Sequence, residues 1–161
     1  MKVKGEARRF GDDISTDEII PGKYLRRDED VWADHVMEGV DPRFADDSEG
    51  VVIVAGENFG YGSSREQAPR AIKAAGVSGV VAESFARIFY RNAINVGLPI
   101  ATASVAEDTD DGDRVSVDLS EGTVVVESEP GKTRHECEEL PERLREVLEA
   151  GGLLSWRRKN G

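Results

Sequence analysis

The chain has 161 residues, 39% of them apolar and 33% charged, a length that fits one domain over residues 1–161 with a core large enough to need no staples. Its 32 acidic and 21 basic residues give a net charge of -11, which argues against nucleic acid as a partner, since binding it needs a basic face. One cysteine, Cys137, excludes an internal disulfide framework and a four-cysteine iron–sulfur or zinc site carried by this chain alone. No run approaches the ~18 apolar residues of a membrane span. Nor do the first residues, Met1-Lys2-Val3-Lys4-Gly5, form an apolar signal segment. A soluble cytoplasmic domain with no membrane partner is the expectation.

In chain order, residues 3–10 read as a strand. Residues 11–50 are rich in Asp, Gly and Pro and predict only short structured pieces; an irregular stretch of that length in a compact domain is usually functional or an interface. Residues 51–55, all Val, Ile or Ala, form a continuous apolar run that predicts a buried strand. A glycine-rich turn over 56–64 leads into a helix over 68–75, with Gly76 as its stop, and then a strand over 77–83. Strand, turn, helix and strand make a βαβ unit and predict parallel pairing. A helix over 87–96 ends at Gly97, and a strand follows over 98–105. Residues 106–113 are a solvated acidic loop. Strands over 115–119 and 123–128 flank Glu121-Gly122 as a hairpin. The last expected element is a helix over 141–150, ended by Gly151-Gly152, with the basic tail Arg157-Arg158-Lys159 frayed.

The chemistry concentrates in Gly60-Tyr61-Gly62-Ser63-Ser64-Arg65-Glu66. Glycines permit positive φ and close approach of backbone to a ligand. The first turn of a helix presents unpaired N–H groups that attract anions. Ser63 with Glu66, and Ser64 with Gln67, have capping-box spacing, and Arg65 can grip a carboxylate or phosphate through two parallel hydrogen bonds. Two readings stay open on these features: an anionic-substrate site, or an ordinary capped helix after a tight turn. Pro69 lacks a backbone donor, so the regular helix is expected to start late or bend there. The turn is neither a Walker loop, a dinucleotide fingerprint nor a serine-hydrolase elbow. Asp12, Asp13, Asp17 and Glu18, followed by Lys23, Arg26 and Arg27, line a site or form a solvated loop. His35 reads as a partly packed or surface histidine, His135 lacks partners at metal-ligand spacing, and Cys137 reads as inert.

Three stretches together resemble a known family. They are Phe10-Gly11-Asp12-Asp13-Ile14-Ser15-Thr16-Asp17-Glu18-Ile19-Ile20-Pro21, Gly56-Glu57-Asn58-Phe59-Gly60-Tyr61-Gly62-Ser63-Ser64-Arg65-Glu66, and the run from Ser84-Phe85-Ala86-Arg87-Ile88 to Gly97-Leu98-Pro99. In that order they resemble the small subunits of 3-isopropylmalate dehydratase, which correspond to the swivelling domain of aconitase and are shared by homoaconitases. Tyr61 and Gln67 stand where cysteine and histidine are frequent. The resemblance implies an α/β fold, a three-layer β/β/α swivelling domain as in the aconitase C-terminal domain. It implies a hydro-lyase that isomerises a hydroxy-dicarboxylate in leucine biosynthesis by removing water and adding it back. A large partner subunit would carry a [4Fe-4S] cluster acting as Lewis acid on the leaving hydroxyl, with no cofactor or metal on this chain. Carried over by position, Ser63 is the base, as its alkoxide. Ser64, Arg65 and Arg26 hold substrate, and Thr16 and Asp17 line the site. A homoaconitase-type or broad-specificity subunit is the alternative, and a non-enzymatic anion-binding domain a third.

Overall fold

The computed structural model describes residues 1–128 and 131–161. Among them, one mixed sheet is built from β1 (Lys2–Arg9), β2 (Val52–Ala55), β3 (Gly79–Ala82), β4 (Ile100–Thr102), β5 (Arg114–Asp118), β6 (Thr123–Ser128) and β7 (Gly131–Glu136), in the order β4-β3-β2-β1-β5-β6-β7. Strand β1 serves both halves. Ala7, Arg8 and Arg9 pair in parallel with β2, whereas Lys2 to Glu6 pair antiparallel with β5. The two halves face each other: Val3, Val81 and Ile100 line a gap of about 10 Å³ with Val117 and Leu119. Helices α1 (Thr16–Ile19), α2 (Glu29–Asp34), α3 (Gln67–Ala74), α4 (Arg87–Val96), α5 (Glu142–Glu149) and α6 (Leu153–Asn160) form the third layer, with α3 packed on α1, α2 and α4. The expected α/β class and βαβ core are present.

Strands β2 and β3 are buried at every position, which explains their unbroken apolar sequence. Each such Val or Ile contributes about 1.5–3 kcal/mol by leaving water. Strands β5 and β6 alternate buried and half-exposed residues, as a sheet with one wet face does. Their turn is closed by Asp118, whose carboxylate accepts from the Ser120 and Glu121 N–H groups.

Several elements depart from the expectations. Strand β7 has no apolar alternation, because backbone pairing with β6 rather than burial makes it a strand. It is an exposed edge, and Lys132 and Arg134 discourage further pairing. The basic tail is not frayed but forms α6. Gly151 (φ 93°) and Gly152 (φ 125°) redirect the chain, and Arg157, Arg158 and Lys159 fall in the last turn, where exposed carbonyls favour cations. The strands expected over 77–83 and 98–105 shorten to the residues with a parallel partner.

Residues 11–50 carry α1, α2 and two 3-10 turns. Tyr24 ties this region together. Its ring stacks on His35 at 4.0 Å, its carbonyl accepts from Trp32 Nε1 at 2.8 Å, and its hydroxyl donates to Glu38 at 3.1 Å. His35 Nδ1 also bonds to the Glu38 carboxylate. Partial burial, the largest effect, pushes the Glu38 pKa up, but the bonds from His35 and Tyr24 and the nearby positive charges together bring it below its ordinary value of 4.5.

The glycine-rich turn rests on aromatic packing. Phe59 meets Phe85 and Phe89 edge-on, at 6.0 and 5.3 Å between centroids. Gly60, at φ 84°, lies so close to Phe89 that a Cβ there would fall 2.3 Å from the ring.

Gly60→Ala should therefore cost about 2 kcal/mol or more in a denaturant titration, combining a left-handed backbone with a blocked contact. Gly11→Ala, with nothing within 4 Å of the new methyl, should stay within ~0.5 kcal/mol of the parent. Glu38→Gln should destabilise the chain by about 1 kcal/mol at neutral pH. A lowered carboxylate pKa stabilises fully above its ordinary value and ceases to as pH falls through the folded value. The two unfolding curves should accordingly converge below about pH 4; a difference that persists there would assign the effect to packing.

Candidate active site

The turn that follows β2 is stitched to two other segments by backbone hydrogen bonds. On one side, Gly60 N–H donates to Ile14 O at 2.7 Å and Thr16 N–H to Tyr61 O at 2.8 Å. Asp13 N–H donates to Glu57 O at 2.8 Å. On the other, Phe59 N–H donates to Ser84 O at 3.0 Å and Ala86 N–H to Phe59 O at 2.9 Å. The three stretches that carry the family resemblance thus converge on one end of the parallel half of the sheet, beyond the C-terminal ends of β1, β2 and β3. Ligands bind at that end of parallel strands because helix N-termini and glycine-rich connections lie there.

Helix α1 begins with a capping box. Ser15 Oγ accepts from Glu18 N–H at 3.1 Å, and Glu18 Oε1 accepts from Ser15 N–H at 3.0 Å. This box presents Thr16 and Asp17 toward the turn. Asp17 Oδ1 accepts from Arg65 Nη1 and from Gly22 N–H, each at 3.1 Å. Arg65 Nη1 also donates to Ile20 O at 3.2 Å. The guanidinium is thereby held from one edge. Its Nε and Nη2 groups have no protein partner among the described residues, so a donor edge remains for a carboxylate.

Ser63 and Ser64 are exposed, and their hydroxyls have no partner among the described residues. Neither caps a helix, which corrects the capping-box expectation. Helix α3 starts at Gln67 after Glu66, without a side-chain cap. Pro69 accounts for the late start. It has no N–H to give to Arg65, so regular hydrogen bonding begins only where Pro69 falls within the first turn. The serines therefore sit on an open turn ahead of the helix rather than in its cap.

Arg26 makes no hydrogen bond to this cluster among the described residues. It lies in the stretch after the 3-10 turn Gly22–Tyr24, is exposed, and has no ion pair among the described residues. The clustered carboxylates divide by task. Asp17 holds Arg65, whereas Asp12 accepts from Glu57 N–H at 2.8 Å and Asp13 from Asn58 Nδ2 at 3.1 Å, so both brace the turn. Sequence reasoning missed the Ile20 carbonyl and Gly22 N–H as partners in the Arg65 clamp, because backbone groups carry no residue-type signal. It also missed the Ser15 box, although its Ser-x-x-Glu spacing was readable.

The remaining candidates stay outside the site. His35 is half-buried against Tyr24, and His135 lies 3.5 Å from Asp108. Burial pushes the Cys137 thiol up, as expected of an unreactive cysteine. Among the described residues no group of three or more His, Cys, Asp or Glu could hold a metal ion. A groove of about 660 Å³ between α3, the end of α4 and the start of α6 includes Glu66 but none of Ser63, Ser64 and Arg65.

The profile of the aconitase C-terminal domain matches residues 8–104. The 3-isopropylmalate dehydratase small subunit 2 of Archaeoglobus fulgidus is 52% identical, over 100% of this chain and 98% of its own. The methanogen homoaconitase small subunit of Methanothermobacter thermautotrophicus is 51% identical, over 95% of this chain and 89% of its own. The crystal structure of a 3-isopropylmalate dehydratase from Methanocaldococcus jannaschii superposes with a TM-score of 0.92 at 50% identity, covering 99% of this chain and 95% of that one. This chain belongs to the aconitase C-terminal domain family, among the small subunits of 3-isopropylmalate dehydratase and homoaconitase.

Proposed function

We propose that the chain is the small subunit of a 3-isopropylmalate dehydratase, a hydro-lyase that interconverts 2- and 3-isopropylmalate in leucine biosynthesis. The observation that carries this reading is the Arg65 guanidinium, fixed from one edge by Asp17 and Ile20 and open on the other, beside two unpartnered serine hydroxyls. The open edge of Arg65 and the Ser64 hydroxyl receive a substrate carboxylate. Ser63, as its alkoxide, takes a proton from the carbon beside the one bearing the hydroxyl, and the hydroxyl leaves. Water then adds in the opposite sense, and Ser63 returns the proton.

Ser63 is a weak base unless its ionised form is stabilised. The late start of α3 moves the helix-end N–H groups away from it, so Arg65 and the turn's own N–H groups carry more of that task. Their effect grows as water is excluded. On this chain alone the serines face solvent, which supports a second subunit that covers the turn. The acid for the leaving hydroxyl is also absent: one cysteine cannot hold a cluster, and we assign a [4Fe-4S] group to the large subunit. Tyr61 and Ile88, large apolar side chains 41% and 51% exposed, flank the Gly60–Phe89 contact and would lie beneath that partner. A cytoplasmic location belongs to the same reading.

Arg26 favours keeping a second substrate in view. It is exposed and has no ion pair among the described residues, and homoaconitase small subunits are as similar as dehydratase ones. An arginine facing an isopropyl group would be desolvated without a partner, whereas one facing an extra carboxylate would not.

The isolated chain should show no turnover, and the complex with a large subunit should isomerise isopropylmalate. In that complex Ser63→Ala should lower kcat about 100- to 10,000-fold with a much smaller change in KM; an unchanged kcat would remove Ser63 as the base. Paired kcat/KM values for isopropylmalate and a homocitrate-type acid, in native and Arg26→Val complexes, decide the substrate. A native preference for isopropylmalate that survives Arg26→Val supports the first reading. A preference for the longer acid that collapses in the variant establishes the second.

A further inference from the structure

Thr16 is the first residue of α1 and is 2% exposed. Its Oγ1 is buried with no hydrogen-bond partner, the one side-chain oxygen or nitrogen in that state among the described residues. A buried hydroxyl without a partner is destabilising, and valine would fill the same space without that cost. At the first helical position there is no helical carbonyl one turn back to accept from it. The hydroxyl faces the glycine-rich turn: a Cβ on Gly62 would lie 3.2 Å from Thr16 Oγ1. Thr16 N–H is bonded to Tyr61 O at 2.8 Å, so its backbone is held beside the turn. The next residue after Gly62 is Ser63. Gly62, at φ 109°, adopts a backbone conformation that other residues rarely adopt, and it can rotate where they cannot.

We infer that Thr16 is a positioning residue for Ser63, whose hydroxyl donates a hydrogen bond to the Ser63 oxygen across Gly62 in the working complex. The inference rests on the reading of Ser63 as the base, and it differs from a role for Thr16 in lining the substrate. A rotation at Gly62 brings the two hydroxyls together, satisfies the buried donor and gives the Ser63 alkoxide a fixed partner. A hydrogen bond to the charged form lowers the pKa of Ser63 and aims its lone pair. A side chain at 62 would crowd the Thr16 hydroxyl, since its Cβ would lie 3.2 Å from Oγ1.

The test uses the chain assembled with its large subunit and compares Thr16→Val with Thr16→Ser. Valine keeps the shape and removes the donor; serine keeps the donor. Thr16→Val should lower kcat about 10- to 100-fold with KM nearly unchanged, and should move the acidic limb of the pH–rate profile to higher pH. Its thermal stability should be unchanged or raised. Thr16→Ser should restore both kcat and the position of the limb. Native kcat and pH profile in Thr16→Val would overturn the inference. So would a loss confined to KM, which would make Thr16 a substrate contact. Ser63→Ala in the same complex separates the two levels. If it leaves turnover intact, the base assignment itself fails. If it abolishes turnover while Thr16→Val does nothing, only the role of Thr16 fails.

Discussion

The backbone of Phe59-Gly60-Tyr61 bonds to two neighbours at once, and the candidate site depends on that sharing. Gly60 and Tyr61 bond to Ile14 and Thr16, while Phe59 bonds to Ser84 and Ala86. Backbone groups at this depth need partners, and these bonds supply them without a continuous strand. The arrangement requires a glycine at 60, because the chain passes against the Phe89 ring in a left-handed conformation. The packing of Phe59, Phe85 and Phe89 beneath the turn gives the irregular backbone a rigid floor. Serines on a loop can then be held as firmly as side chains on a strand.

Charge is organised against the global balance. The chain carries a net charge of -11, yet Arg26, Arg27, Arg87 and Arg91 are exposed without ion pairs among the described residues. Arg65 is tethered, by an acidic side chain and a carbonyl rather than a full salt-bridge network. Exposed ion pairs add little to stability, so this pairing is better understood as aiming the guanidinium than as holding the fold together.

Much of this was legible in the sequence. Continuous apolar runs at β2 and β3 mark strands covered on both faces, because burial on both sides leaves no place for a polar residue. The helix over 87–96 and its stop at Gly97 were placed to the residue, since a left-handed C-cap is a local requirement. The hairpin of β5 and β6 followed from alternation around Glu121-Gly122. Tertiary contact decided the elements without such a local signature. Strand β7 is polar throughout and becomes a strand only because β6 offers it a row of partners. Helix α6 carries the basic tail that read as frayed, held where α4 and α5 receive it.

The site divides in the same way. Residue types in one short turn made Ser63, Ser64 and Arg65 candidates for anion chemistry or a capped helix, and the family resemblance added Arg26, Thr16 and Asp17. The tertiary structure decided which of them meet. It joined Asp17 to Arg65 over 48 positions of sequence and moved the serines off the helix cap. It also recruited the Ile20 carbonyl and the Gly22 N–H, groups that every residue possesses and no pattern of side chains can announce. Local chemistry is written in the residues because it depends on what each side chain is. Convergence depends on how the sheet brings distant backbone together, and that is settled only when the chain has folded.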